Sequence, residues 1–458
     1  MATFHIEQFG CRATQADGAA IERQLREQGY EPVADAAGAD VVVLNTCTVT
    51  AAADAQARDA VRKIHTASPA TRIVVTGCYA QRAPEEIAAL PGVSFVVGNS
   101  HKPQIPALLQ SISPASSVAQ KEDPVPYPGA RVLTGDIFAL SEVLVAPVLG
   151  GEGNHTRPTL KIQDGCNSRC SFCVIPFVRG KSRSLPVATV ISEIQRLSDS
   201  GFREIVLSGI NLGTYGRDLS PRVEFLELLR RVLDETSVER LRISSIEPLD
   251  VTRDLIDLFA SSESIAPHFH MPLQSASDGI LRAMHRWYRA EHYARRVELI
   301  QERLPHAAIG ADVITGFPGE AEEDHATTMR FISERPFTYL HVFSYSSRPG
   351  TKAASLSGHL PGDVIKRRAR ELRSLGEQKS QAFRRSQIGR TLRVLTLRRG
   401  VKDDPSQTSA LSENYLTVTV PASLPPNEWL DVAVSSDTGK DLLAVPATAR
   451  LAYSAEAG

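Results

Sequence analysis

The sequence predicts an α/β protein of three modules: an N-terminal parallel α/β domain, a central partial (β/α)6 barrel and a small C-terminal β-barrel. Three observations carry that expectation. Runs apolar at every position, such as Val41-Val42-Val43-Leu44, alternate with helical patterns near the N-terminus, and a strand with no polar side is one buried on both faces of a parallel sheet. The middle of the chain repeats strand then helix six times. The C-terminal part alternates apolar and polar residues with no helical period.

In the first module, strands are expected near residues 4–9, 41–44, 73–75 and 95–97, with helices near 15–28, 52–65 and 84–89. Cys11, Cys47 and Cys78 each fall just past a strand and before a helix. Ligands bind at that edge of an open α/β sheet, and helix N-termini aimed there favour an anion. Residues 111–157, rich in Ser, Pro and Gly, read as a linker between a domain at 1–110 and a second at 158–385. The six strands of the second domain are expected near 159–162, 204–207, 240–243, 268–271, 309–314 and 339–343. Chemistry in such a barrel sits on the loops at the strand C-termini. A basic amphipathic helix near 363–385 closes it, and residues 386–458 supply the β segments near 392–397, 415–420, 430–434 and 443–445.

Composition is that of an ordinary globular chain, 42% hydrophobic and 22% charged. No apolar run approaches the roughly 18 to 20 residues of a membrane span, so no membrane partner is expected. The N-terminus shows no secretory pattern, which points to a reducing, cytoplasmic setting. Net charge is −1, so global electrostatics announce no nucleic-acid partner. The distribution is more telling: from Lys366 to Arg399 twelve Lys and Arg face two acids, a net of +10, whereas residues 401–458 carry three cations against eight acids, a net of −5. Phosphate contact is therefore expected near Arg384, Arg385 and Arg390.

All six cysteines fall into two triplets, the second packed into Cys166-Asn-Ser-Arg-Cys170-Ser-Phe-Cys173. Structural zinc prefers four ligands in paired spacing, and here the close group has three cysteines, with His155 the nearest histidine. Disulfides do not suit a reducing compartment. A CxxxCxxC loop supplies three thiolates to a 4Fe-4S cluster and leaves one iron open to a small molecule. An electron carrier would explain six cysteines but not an open iron on a six-step barrel. An RNA-binding scaffold with structural clusters would explain the basic segment but not the open sites.

The run Lys161-Ile162-Gln163-Asp164-Gly165-Cys166-Asn167-Ser168-Arg169-Cys170-Ser171-Phe172-Cys173, followed by Arg179-Gly180-Lys181-Ser182-Arg183-Ser184, resembles the core of the radical S-adenosylmethionine methylthiotransferases. The resemblance extends over nearly the whole chain: the three N-terminal cysteines, Leu207-Ser208-Gly209-Ile210-Asn211, Ser244-Ser245-Ile246-Glu247-Pro248, Gln274-Ser275, the stretch from Asp312 to Glu320, and a TRAM-like C-terminal barrel. Asn45-Thr46-Cys47-Thr48-Val49-Thr50 and Val75-Thr76-Gly77-Cys78-Tyr79-Ala80-Gln81 look most like the branch acting on N6-threonylcarbamoyladenosine at position 37 of tRNA, ahead of the isopentenyladenosine and ribosomal-protein branches. Thr14 stands where that family usually has Asn, and Ala276 where it has Gly.

The resemblance implies that Cys166, Cys170 and Cys173 hold the 4Fe-4S cluster that binds and reductively cleaves S-adenosylmethionine, while Cys11, Cys47 and Cys78 hold an auxiliary 4Fe-4S cluster carrying the sulfur. One S-adenosylmethionine is then the methyl donor and another the source of the 5′-deoxyadenosyl radical, which acid–base chemistry cannot replace at an unactivated C–H carbon. It also implies tRNA as partner and an electron donor such as flavodoxin or ferredoxin. Phe172, Ser208, Gly209, Asn211, Ser244, Ser245 and Glu247 are the expected cofactor contacts. A threonylcarbamoyl carboxylate calls for a planar cationic fork. Arg12, next to Cys11, is the first candidate to read it and Arg183 the second. His268 and His270 alternate along a strand, so one is expected to point inward as a satisfied core histidine.

Overall fold

The computed structural model describes residues 2–110, 130–140, 143–144, 147–148, 156–398, 401 and 404–447. Most of the expected linker lies outside the described residues, as do His155, Arg399, Lys402, Asp403, Arg450 and Glu456. The chain is mixed α/β and divides into two compact units that interleave along the sequence: residues 1–151, 160–185 and 346–354 form one, and 152–159, 186–345 and 355–458 the other.

The first unit holds a sheet of six strands, all parallel, in the order Glu31–Pro32, Thr3–Gln8, Val41–Thr46, Arg72–Gly77, Val93–Gly98, Arg131–Leu133. The uniformly apolar strands are buried on both faces, as expected. Val42, Leu44, Ile73 and Val75 pack with Ala57, Val61 and Ile64 of the helix Ala51–Ala67. Their neighbours Val41, Val43 and Val74 turn to the opposite face, against Ile21 and Leu25 of the helix Arg12–Glu27. Each such side chain contributes about 1.5 to 3 kcal/mol of burial. Thr50 caps the helix Ala51–Ala67 by accepting the Ala53 N–H at 3.2 Å, worth about 1 kcal/mol. The two outermost strands were not read from the sequence. Arg131–Leu133, inside the expected linker, is three residues long, and Glu31–Pro32 uses a proline, which a sheet edge tolerates because it needs no donor on its outer side.

In the second unit, Glu204–Gly209 pairs in parallel with Arg240–Ile243, and Ala308–Thr315 pairs in parallel with His268–His270 on one side and Tyr339–Ser344 on the other. A parallel bridge between Leu241 and Ile265 lies just ahead of His268. Helices Val187–Asp199, Phe225–Glu235, Arg253–Ser261, Ala290–Arg303 and Glu322–Ser333 alternate with these strands and bury one stripe each. The basic helix runs Gly362–Arg385, within a residue of the expectation.

Five strands between Thr391 and Pro446 form a closed barrel around Leu392, Val394, Ala410, Val418, Val420, Val432, Val434, Leu442 and Ala444. Four strands were anticipated. The fifth, Thr408–Ser412, carries mostly small and polar residues, so its alternation is faint in sequence.

The fully buried carboxylate of Glu204 ties this barrel to the parallel strands. It accepts from Arg242 at 2.7 and 3.1 Å and from Arg157 at 3.1 Å, while Arg242 also donates to the carbonyls of Ser412 and Glu413. Burial alone would raise the carboxyl, but Arg242 and Arg157 bring it down from 4.5 to about 2. A group whose folded value is depressed contributes stability above its unfolded value and loses it as pH falls through the folded one. Glu204→Gln therefore lowers the unfolding free energy of this unit by about 3 to 5 kcal/mol at neutral pH, because Arg242 is left buried without its anion. The difference between the two proteins, followed by urea denaturation, shrinks as pH falls from about 4.5 toward 2. A deficit that does not vary with pH contradicts this account.

Candidate metal centre

All six cysteines lie in the first unit and all are free thiols. Cys11 is exposed at the position just before the helix Arg12–Glu27, Cys47 follows the strand Val41–Thr46, and Cys78 follows Arg72–Gly77. Two glycines let these loops meet. Gly10 has φ +117°, and a Cβ there would stand 2.5 Å from the Cys47 Cβ; Gly77 has φ +99°, and a Cβ there would stand 2.3 Å from the Thr46 carbonyl oxygen. Only a residue without a side chain allows both the left-handed backbone and the approach. Asn45 adds a tie by donating to the Thr14 carbonyl at 2.7 Å. Thr14, the departure from the usual Asn, places its hydroxyl 3.6 Å from the Cys11 sulfur, and Asn99 donates its amide toward the Cys78 sulfur at 3.6 Å.

Burial first, then the neighbouring Cys78 and Cys11, push the Cys47 thiol up to about 12. A triad whose thiols oppose one another's ionisation loses that penalty when a cation takes the protons' place.

The second triplet is held by a hairpin. The strand Thr159–Asp164 pairs antiparallel with Arg183–Ser184, and Gln163 donates to the Gly165 carbonyl and the Ser182 hydroxyl across its base. Within the loop, the Cys166 amide donates to the Gly180 carbonyl at 3.1 Å, the Cys173 amide to the Cys170 carbonyl at 3.1 Å, and the Ser168 amide to the Cys166 sulfur at 3.4 Å. Phe172 is half-buried between the last two cysteines. The helix Ile175–Arg179 then packs Val178 against Cys78.

Among the described residues, the group that draws three ligand atoms within 4.8 Å of one another is His270, Asp312 and His341; neither cysteine triad is that tight. A single zinc at a Zn–S distance of about 2.3 Å would require a closer set of sulfurs. Three thiolates apiece are the donor set that a four-iron cluster takes.

In the second unit, Ser208 and Gly209 end one parallel strand and Asn211 follows, while Ser244, Ser245 and Glu247 follow the next, all at carboxyl ends. Ser208 and Asn211 are buried. Burial pushes the Glu247 carboxyl up, against the pull of its ion-pair partner Arg286. The Ser245 hydroxyl meets His270 Nδ1 at 3.1 Å, and His270 Nε2 and His341 Nδ1 lie 3.1 and 3.2 Å from Asp312 Oδ1. Burial opposes ionisation of Asp312, yet the two imidazoles hold it at about 2. Residues two apart on a strand share a face, which corrects the expectation for the histidines. The rings of His268 and His270 both lie 5.9 Å from Tyr339. His268 is the buried core residue, its Nε2 2.7 Å from the Tyr339 hydroxyl, while His270 serves Asp312.

Two arginines need correction. Arg384, expected to meet phosphate, is buried; its guanidinium donates to Asp437 at 2.7 Å and to the Gly439 carbonyl at 2.9 Å. Arg183 is also buried, and its Nη1 donates to the carbonyls of Arg179 and Lys181 in its own chain. Arg367 and Arg368 pair with Glu322 and Glu320, which takes further cations out of the basic run. The side chain of Arg385 remains 64% exposed, and Arg390 is half-buried, donating to Gln387. Arg12 is half-buried at the first turn of its helix. Sequence reasoning missed Asn99, Asp17, Lys102 and the Asp312 pair. The one available signal was charge inside an apolar strand pattern, at Lys161 and Asp164 ahead of Cys166.

Residues 3–98 match a family model described as "Uncharacterized protein family UPF0004" and residues 160–332 one described as "Radical SAM superfamily". The chain is 38% identical to the threonylcarbamoyladenosine tRNA methylthiotransferase MtaB of Aquifex aeolicus, over 90% of this chain and 95% of that one. It is 38% identical to the MtaB of Bacillus subtilis over 84% and 82% of the two chains. It is 36% identical to the tRNA-2-methylthio-N(6)-dimethylallyladenosine synthase of Thermobifida fusca over 88% and 79%. Among solved structures, the radical S-adenosylmethionine methyltransferase TsrM of Kitasatospora setae aligns with a TM-score of 0.55 at 16% identity over 77% and 75% of the chains, a likeness of fold. Among the described residues, no helix is long and apolar enough to cross a membrane.

Proposed function

Because the chain belongs to the radical S-adenosylmethionine methylthiotransferase family, we propose that it converts N6-threonylcarbamoyladenosine at position 37 of tRNA to its 2-methylthio derivative, using one S-adenosylmethionine as methyl donor and one as radical source. The observation that carries the proposal is that one compact unit holds two separate cysteine triads, each wider than a single-ion site. When bound, a 4Fe-4S cluster at Cys166, Cys170 and Cys173 supplies the electron that cleaves S-adenosylmethionine, and one at Cys11, Cys47 and Cys78 supplies the sulfur.

The chain's own residues divide the remaining work. Phe172, beside Cys173, borders the adenosylmethionine, with Ser208, Gly209, Asn211, Ser244, Ser245 and Glu247 offering donors and acceptors at strand ends. The Arg286 side chain fixes the carboxylate of Glu247. Arg385 and Arg390 are the cations proposed to meet the tRNA backbone, and a donor such as flavodoxin or ferredoxin delivers the electron. Arg12 reads the threonylcarbamoyl carboxylate: it directly follows Cys11, whereas Arg183 is buried with its Nη1 held by backbone carbonyls.

The test uses reduced, reconstituted enzyme with two tRNAs, one carrying threonylcarbamoyladenosine and one isopentenyladenosine, followed by mass spectrometry of the digested nucleosides. Methylthiolation of the first and not the second is expected, and the reverse preference rejects the assignment. Arg12→Gln reduces turnover of the carboxylated substrate at least tenfold more than that of an analogue lacking the carboxylate, as the loss of a charge-assisted pair worth about 1.5 to 3 kcal/mol requires. Equal losses on both show that Arg12 does not read the carboxylate.

A further inference from the structure

Six charged side chains are buried together in the first unit: Asp17, Lys102, Lys161, Asp164, Arg179 and Arg183. Asp17 accepts from Lys102 at 2.7 Å, from Arg179 at 3.1 Å and from Lys161; Asp164 accepts from Lys161 at 2.9 Å and from Arg179 at 2.9 Å. The same six line a small cavity with Asn99, about 20 Å³, room for a single water. Although burial opposes it, the surrounding cations hold the Asp17 carboxyl far below its usual range.

Ion pairs this deep add little stability over apolar packing of the same shape, so stability does not account for them. The count is also unbalanced. Among the described residues, four cations stand against two carboxylates, a net of +2 when all six are ionised, and uncompensated buried charge is costly. The compensating anion is indicated by what the network touches. Arg179 reaches the Thr14 hydroxyl at 3.4 Å, which lies 3.6 Å from the Cys11 sulfur. Asn99, on the cavity wall, reaches the Cys78 sulfur. A cluster held by three thiolates is an anion that gains a further negative charge on reduction.

We infer that this buried network is the counter-charge of the auxiliary cluster, and that Asp17 and Lys102 act through it as positioning residues that set the potential at which it accepts an electron. The inference rests on the reading that Cys11, Cys47 and Cys78 hold a cluster. Removing a cation disfavours the more negative reduced state; removing a carboxylate favours it. The two changes must therefore move the potential in opposite directions, which loss of packing alone would not do.

The experiment is an anaerobic redox titration, followed by electron paramagnetic resonance, of the full-length reconstituted chain carrying Cys170→Ala so that the auxiliary cluster is the one observed. Lys102→Met lowers the ratio of reduced to oxidised cluster at a fixed potential by about tenfold, which is about 59 mV for one electron. Asp17→Asn raises it by a similar factor, and Lys102→Arg restores the parent value. Shifts of the same sign, or none with iron retained, overturn the inference. Loss of the cluster from Asp17→Asn overturns it too, since that variant strengthens the counter-charge, whereas loss from Lys102→Met with retention in Lys102→Arg supports it. If the Cys170→Ala chain binds no iron at all, the cluster assignment itself fails and takes this inference with it.

Discussion

Cys170→Ala abolishes formation of 5′-deoxyadenosine from S-adenosylmethionine, to the background of protein without iron, and leaves about half the iron of the parent. The middle cysteine of a three-residue ligand set has no substitute in its loop. The carboxylate nearest in sequence, Asp164, is held by Lys161 and Arg179. The hairpin base survives the change, because it rests on Gln163 and on pairing of Asp164 with Arg183 rather than on the thiol. The other triad keeps its metal because its three loops are set by the six-strand sheet and by the close approaches at Gly10 and Gly77. Iron analysis and chromatography of the nucleoside products check both halves. Full iron content, or retained cleavage, rejects the assignment of Cys170 as a ligand.

Cys47→Ala gives the complementary result. Reductive cleavage of S-adenosylmethionine continues within about twofold of the parent rate, a change in barrier of well under 1 kcal/mol, while the methylthio product falls below detection. Cys47 is buried, and burial first, then Cys78 and Cys11, oppose its ionisation. Alanine at this position removes a ligand and adds no volume, so the strands Val41–Thr46 and Arg72–Gly77 keep their register. Cleavage lost together with methylthiolation, in protein that retains the first cluster by spectroscopy, removes the division of labour between the triads.

Local pattern alone determined much of this protein. The uniformly apolar run at Val41 to Leu44 required burial on both faces, and its side chains do alternate between two core clusters. The spacing of Cys166, Cys170 and Cys173, and the placing of Cys11, Cys47 and Cys78 after strands, are properties of neighbouring residues and were legible without coordinates. The basic helix was too, because its charge and periodicity are local.

What the sequence could not reveal depends on partners far along the chain. Lys161 and Asp17 meet across 144 residues, and Arg384 meets Asp437 across 53. Whether an arginine faces phosphate or its own chain is decided by the distant carboxylate that reaches it, and periodicity carries no record of that. The short edge strand Arg131–Leu133 also escaped notice, since three residues hold too little pattern to separate from a linker. The grouping of the CxxxCxxC hairpin with the N-terminal sheet likewise comes from tertiary packing. It rests on Val178 against Cys78 and on Asn99 donating to the Val178 carbonyl. Those contacts form only once the chain has closed on itself, because a local pattern selects a strand or a helix but not the surface it will cover.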